Sequence, residues 1–180
     1  MRIIAGSAKG RRLVSPPGGD TRPLTGRAKE ALFSSLGGRV VDADVVDLYA
    51  GTGSIGLEAL SRGASRVVFV EKGRSALGAL RKNIDAVGLG GDVVSEDVGA
   101  FLARVHDTFD LAFVDPPYAL PLASLATVLE QLAPSLSDAA TVVVHRRYGG
   151  GAPALPAGLV QTDRRRYGGT ELWRFEKENA

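Results

Sequence analysis

Residues 111–120 read LAFVDPPYAL: four apolar residues, a carboxylate, two prolines and an aromatic ring. Asp115 closes a run that has the composition of a buried strand, where an unpaired carboxylate is costly. Pro116 and Pro117 each hold φ near about −65° and carry no N–H. The Asp115 carboxylate and the Pro116 carbonyl therefore stand as fixed acceptors with no competing local donor. Tyr118 adds a flat face, and stacking on such a face is worth about 1–3 kcal/mol per base. Two acceptors beside a stacking surface suit an amino group carried on a planar ring. The plain alternative is a strand end followed by a rigid turn, and the rest of the chain has to decide between them.

A second constellation is DLYAGTGSIGLEAL, which sets Gly51, Gly53 and Gly56 in G-x-G-x-x-G spacing between an apolar run and a helical pattern. Glu71 follows Gly51 by 20 residues and ends the next apolar run. Glycines in that spacing allow a tight turn and close backbone approach, and the acid accepts hydrogen bonds from ribose hydroxyls. The pattern points to an adenosine-type cofactor, with an oxidoreductase as one reading. A pyrophosphate binder, however, wants no anion beside the turn, and Asp47 lies four residues before Gly51. Asp97 ends a third strand, where it can accept from an adenine amino group. A carboxylate-lined pocket suits a cofactor that is not an anion. S-adenosylmethionine carries a sulfonium, an ammonium and two ribose hydroxyls, and no phosphate. A P-loop is excluded, since no Gly-Lys-Ser/Thr follows the glycines.

These residues need a scaffold, and the chain supplies one rhythm for it. ADVVDLYA, SRVVFVEK, GDVVSED, FDLAFVD and AATVVVHR read as strands, with SIGLEALSRG, RSALGALRKNIDAVG, VGAFLARVH and LASLATVLEQLAPSL as the helices between them. Such alternation predicts an α/β, doubly wound, mostly parallel sheet covered on both faces. LVQTDRRR and ELWRFE complete seven strands. Only YGG joins them, too short for a crossover, so they are expected to pair antiparallel. Ligands in such sheets bind beyond the carboxyl ends of the strands at the switch point. Asp47, Glu71, Asp97 and Asp115 all fall at or just past that edge. Four acids there point to a site. Upstream, RIIAG and RRLVS flank Ser7–Gly10 as a short hairpin, residues 16–23 read as loop, and TGRAKEALFSSL reads as a helix stopped by Gly37 and Gly38.

At 180 residues and 44% hydrophobic content the chain suits one domain, here divided as an N-terminal extension, 1–39, and a sheet domain, 40–180. No apolar run approaches the roughly 20 residues of a membrane span, and the N-terminus does not read as a signal peptide. Cytoplasmic residence without membrane attachment is the expectation. There is no cysteine and there are two histidines, so no metal site is expected. His106 and His145 read as ordinary surface or strand residues. The net charge of +2 is uneven: residues 1–39 hold eight basic and two acidic side chains, a surplus of six, leaving the remainder at −4. A basic arm on an acidic body fits a polyanionic partner. Arg2, Lys9, Arg11, Arg12, Arg22 and Arg27 are the candidate phosphate contacts. Arg164–Arg166 read equally as a charged edge kept soluble.

VVDLYAGTGSIGLEALSRGA, Glu71 and FVDPPY together resemble a class I S-adenosylmethionine-dependent methyltransferase of the amino-methylating type. RIIAGSAKGRRL, TRPLTGRAKEALF and YGGTELWRF resemble the ends of the bacterial small-subunit (16S) ribosomal RNA guanine-N2 methyltransferases. Leu24 and Gly26 stand where that family commonly has threonine and aspartate. The resemblance spans essentially the whole chain. It implies a monomer with a Rossmann-like sheet and an RNA-contacting N-terminal hairpin and helix. It also implies transfer of one methyl to the N2 amine of a guanine in 16S ribosomal RNA, in naked RNA or an assembling small subunit. Asp115, Pro116, Pro117 and Tyr118 are then the catalytic candidates, and Asp47, Gly51, Gly53, Gly56, Glu71 and Asp97 the cofactor-binding ones. The alternatives are an amino-methyltransferase acting on adenine or guanine in another RNA or DNA, and a non-catalytic RNA-binding module that keeps the fold.

Overall fold

A computed structural model of the chain describes residues 1–16 and 24–179. The first helix, α1, runs Gly26–Leu36. The N-cap is Thr25, whose hydroxyl accepts from the Ala28 N–H at 3.3 Å, so capping is retained although residue 26 is glycine. Gly37, at φ 57°, ends the helix. Then follow β1 Asp44–Leu48, α2 Ser54–Ser61, β2 Arg66–Val70, α3 Arg74–Val87, β3 Asp92–Val94 and α4 Val98–Leu102. The chain continues with β4 Phe109–Val114, α5 Leu122–Leu132, β5 Leu136–Arg147, β6 Leu159–Tyr167 and β7 Thr170–Lys177.

One seven-stranded sheet has the order β3-β2-β1-β4-β5-β7-β6. The first five pair in parallel, and β7 lies antiparallel between β5 and β6, as the short connection requires. This is the doubly wound, Rossmann-like sheet read from the alternation. The winding direction reverses between β1 and β4, so the switch point lies at their carboxyl ends.

Alternation along the strands sorts the core into two clusters. Val45, Val67, Phe69, Leu111, Phe113 and Val143 face one side, under α1, α2 and α3. Val46, Leu48, Val68, Val70, Ala112, Val114, Val142 and Val144 face the other, against α4 and α5. Asp47 has the parity of the first set. So do Glu71, Asp115 and His145, each one step beyond the last apolar residue of that set on its strand.

The N-terminal hairpin is short, with an antiparallel bridge between Arg2 and Arg12. Its arms exchange the Ile3 N–H to the Arg11 carbonyl at 2.9 Å, the Gly10 N–H to the Ile3 carbonyl at 2.9 Å and the Leu13 N–H to the Met1 carbonyl at 3.0 Å, and further donors go to α2. The Ile4 and Ala5 N–H groups donate to the Glu58 carboxylate at 2.8 and 3.0 Å, and the Ser7 N–H donates to the Ser61 carbonyl at 2.7 Å. Gly6 permits this approach: it lies at φ 84°, and a Cβ there would stand 1.6 Å from the Ser61 carbonyl oxygen. Ile3, Ala8 and Leu13 are buried in the same cluster as the inner side of the sheet, so residues 1–16 share one core with the sheet.

Candidate active site at the sheet switch point

Two turns meet at the carboxyl ends of β1 and β4. The glycine turn leaves β1 through Tyr49, a non-glycine residue at φ 60°, and continues through Gly51 at 57° and Gly53 at 76° into α2. The Asp-Pro-Pro-Tyr turn leaves β4. They are joined directly, since the Asp115 N–H donates to the Leu48 carbonyl at 3.3 Å.

Glu71 organises the glycine turn. Its Oε2 accepts from the Gly51 N–H at 2.8 Å, and its Oε1 accepts from the Lys72 and Gly73 N–H groups at 2.9 and 2.7 Å. The Gly51 N–H is thus committed to a carboxylate, the reverse of what a pyrophosphate site needs. Gly53 and Gly56 are packing glycines. A Cβ at 53 would meet Leu80 at 2.4 Å, and one at 56 would meet Phe69 at 2.3 Å.

Asp47 lies beneath the turn, 1% exposed, and accepts from the Gly56 N–H at 2.9 Å. Burial pushes its carboxyl well above the usual carboxylate range; the Gly56 N–H opposes this, and the charges of Asp115 and Glu71 add to it. That coupling brings three of the four strand-end acids into one electrostatic group. Asp97 stands apart from them as the exposed N-cap of α4. Its Oδ1 accepts from the Gly99 N–H at 2.9 Å and its Oδ2 from the Lys72 ammonium at 2.8 Å. The Lys72 hydrogen bond, then that of Gly99, lowers its carboxyl. Asp97 also faces Tyr49, whose phenol is raised by burial and then by the Asp97 charge.

Asp115 is half-buried, Pro116 buried, Pro117 exposed, and Tyr118 exposed at 38%. What holds this turn is β5. His145 Nδ1 lies 2.7 Å from Asp115 Oδ1, and its ring meets Tyr118 edge-on at a centroid distance of 6.0 Å. Arg146, on the opposite face, donates to the Leu120 carbonyl at 3.0 Å and to the Pro117 carbonyl at 3.5 Å. His145 therefore is not the ordinary strand residue it resembles in sequence. It lies in a continuous run of buried residues, and its partner is 30 residues away. The signal that could have found it is the pairing of β4 with β5, which puts the two strand ends side by side.

Asn83 of α3 likewise escapes a reading of the sequence. Fully buried, it accepts from the Val14 N–H at 2.8 Å and donates to the Val14 and Thr52 carbonyls at 3.0 and 2.9 Å. It ties the N-terminal segment to the glycine turn.

Of the basic residues, Arg2, Lys9, Arg11, Arg12 and Arg27 are exposed, and Arg22 lies outside the described residues, as does most of the 16–23 loop. Arg11 donates to the Ala86 carbonyl at 2.8 Å. Lys29, which contributes to the charge surplus, is buried against Glu58 and is no part of the basic surface. On the edge strand β6, Arg164 pairs with Glu171 at 2.6 Å, Arg165 with Asp163 at 2.7 Å, and Arg166 stacks on Tyr148. Trp173 and Phe175 are buried packing residues of β7.

Comparison with known proteins extends the picture. Residues 1–176 match the family described as Conserved hypothetical protein 95. The chain is 36% identical to ribosomal RNA small subunit methyltransferase D of Escherichia coli (strain K12), over 87% of this chain and 80% of that protein. The solved yhhF structure of Escherichia coli covers 99% of this chain and 98% of its own, with TM-score 0.88 and 33% identity. The solved structure of a hypothetical protein from Thermus thermophilus covers 97% and 98%, with TM-score 0.83 and 34% identity.

Proposed function

The chain belongs to the Conserved hypothetical protein 95 family, alongside ribosomal RNA small subunit methyltransferase D, and on that premise we propose that it transfers a methyl group from S-adenosylmethionine to the exocyclic N2 amine of a guanine in small-subunit (16S) ribosomal RNA. The observation that carries this reading is the junction of the two turns, where Asp115 is bonded through its own N–H to the strand that feeds the glycine turn. Cofactor turn and amine acceptor are thereby held as one unit.

The donor set fits the cofactor. Glu71 suits ribose hydroxyls, and the group of Asp47, Glu71 and Asp115 sets a negative potential that favours a cation. Asp47 acts from below, by its field and by holding Gly56, because its side chain is buried. Asp97 keeps acceptor sites beyond its bonds to Gly99 and Lys72, so it can accept from an adenine amino group while holding both. The cofactor supplies a methyl on a cationic sulfur, which makes transfer mainly a problem of positioning.

The guanine amine is a poor nucleophile because its lone pair is delocalised into the ring. Acceptors at Asp115 and the Pro116 carbonyl draw the nitrogen toward tetrahedral geometry and stabilise the positive charge that grows on it. The N–C bond forms as the S–C bond breaks, and the amine proton leaves late, to Asp115 or water. Tyr118 stacks on the base, which has left its own stack to enter. Arg2, Lys9, Arg12 and Arg27, with Arg22 and Arg11, contact phosphates along the flanking RNA. We place the protein in the cytoplasm as a monomer, acting on RNA that is entering the small subunit. No helix among the described residues is long and apolar enough to cross a membrane.

Calorimetry separates the cofactors: S-adenosylmethionine binds and NADH does not. Binding of NADH in preference would return the site to the oxidoreductase reading. Binding of neither, with RNA affinity kept, would make the chain a non-catalytic RNA module.

A further inference from the structure

The Asp-Pro-Pro-Tyr turn is held from β5 by two adjacent side chains on opposite faces of the strand. Arg146 binds the carbonyls of Pro117 and Leu120, while His145 binds the Asp115 carboxylate. The His145 side chain is 3% exposed and that of Asp115 28%. Val114 pairs with Val144, so the two residues are the next pair in register along parallel strands. Their backbones cannot drift apart without breaking that ladder.

The chemistry of the pair defines the tautomer. A carboxylate only accepts, so Nδ1 carries the proton. Nε2 is buried and meets no hydrogen-bonding group among the described residues. The imidazole is therefore engaged through one nitrogen alone, and that nitrogen is aimed at Asp115 Oδ1. The bond at Oδ1 restrains rotation of the carboxylate, whose remaining lone pairs can accept from an incoming amine. The same ring meets Tyr118 edge-on. One buried side chain thus sets the relation between the acceptor and the stacking face.

We propose that His145 is a positioning residue: its Nδ1–H fixes the Asp115 carboxylate, and its ring backs Tyr118, so that the acceptor and the stacking face hold a planar amine in one orientation. This rests on the reading of Asp115 as the amine acceptor. It assigns to β5 a part in the reaction beyond the Asp-Pro-Pro-Tyr motif.

Two substitutions and one spectrum test it. Asparagine places an amide N–H close to the position of Nδ1, whereas leucine fills the volume without a donor. His145→Leu should lower kcat by roughly 10- to 100-fold with little change in KM for RNA or in S-adenosylmethionine affinity. His145→Asn should recover most of the loss. Equal impairment of both folded variants, or wild-type kcat in His145→Leu, would overturn the proposal. Nitrogen-15 imidazole spectra of the wild-type protein should show His145 protonated at Nδ1, with a signal that moves in Asp115→Asn. A protonated Nε2 with a bare Nδ1 would overturn it whatever the transfer assay reads. If the wild-type protein transfers no methyl while the spectrum shows the Nδ1–H bond, the reading of the reaction fails and the pairing stands.

Discussion

Glu58, buried in the middle of α2, holds the Lys29 ammonium of α1 at 3.2 Å, and the same carboxylate takes the N–H groups of Ile4 and Ala5 and the guanidinium of Arg62. One side chain thereby fastens the N-terminal segment, α1 and α2 together. Lys29 also donates to the Ser54 carbonyl at 3.3 Å, at the first turn of α2. The basic segment is thus anchored beside the glycine turn by an ion pair that is itself no part of the basic surface.

Removing one member of a buried ion pair strands the other, at a cost of about 3–5 kcal/mol. For a chain of this length, Glu58→Ala should lower Tm by roughly 6–20 °C. Arg39→Ala, which breaks an exposed pair with Glu176, should change it little. Differential scanning calorimetry of the two variants makes the comparison, and equal shifts would contradict the anchoring role of Glu58.

Asp47 makes a prediction in pH. Its folded pKa is raised above the ordinary 3.8, chiefly by burial. The stability it contributes is complete below that ordinary value and is lost as pH rises through the folded value. Without cofactor, the stability of the wild-type protein relative to Asp47→Asn should therefore fall as pH rises from the ordinary carboxylate value, 3.8, through the raised folded one. Denaturant titrations across that range measure it, and a difference that grows with pH would contradict the burial argument. Asp47→Asn should also bind S-adenosylmethionine more weakly, since the cation loses a buried counter-charge.

The basic surface predicts a salt effect. Lys9→Ala and Arg12→Ala should each reduce the slope of log affinity against log salt by about 0.7 for single-stranded RNA. S-adenosylmethionine affinity should remain unchanged. Fluorescence anisotropy over a salt series decides, and an unaltered slope in the double variant would remove these residues from the interface.

The alternation of strands and helices was legible because each apolar run is short and bounded by glycine or a polar cap, as at Gly63 and Gly88. The antiparallel end was legible from a single short connection, YGG. The acids at the strand ends could be located because their types are rare in strands. What could not be read were partners distant along the chain. Lys29 looks like surface charge until α2 brings Glu58 beneath it. His145 looks like a strand residue until β5 lies beside β4. The short hairpin was legible from its turn residues, but the Ile4 and Ala5 N–H groups bind a helix carboxylate more than fifty residues away, which no local pattern records.

The central claim is chemical and site-specific: a methyl placed on the N2 of guanine by a machinery that needs Asp115. Small-subunit ribosomal RNA incubated with methyl-labelled S-adenosylmethionine and the protein, then digested to nucleosides and separated, tests it directly. The predicted result is label in N2-methylguanosine with the wild-type protein and a loss of about 100- to 1,000-fold in rate with Asp115→Asn, with cofactor affinity retained. Label in an adenine or a ribose, or full transfer by the Asp115→Asn variant, would contradict it.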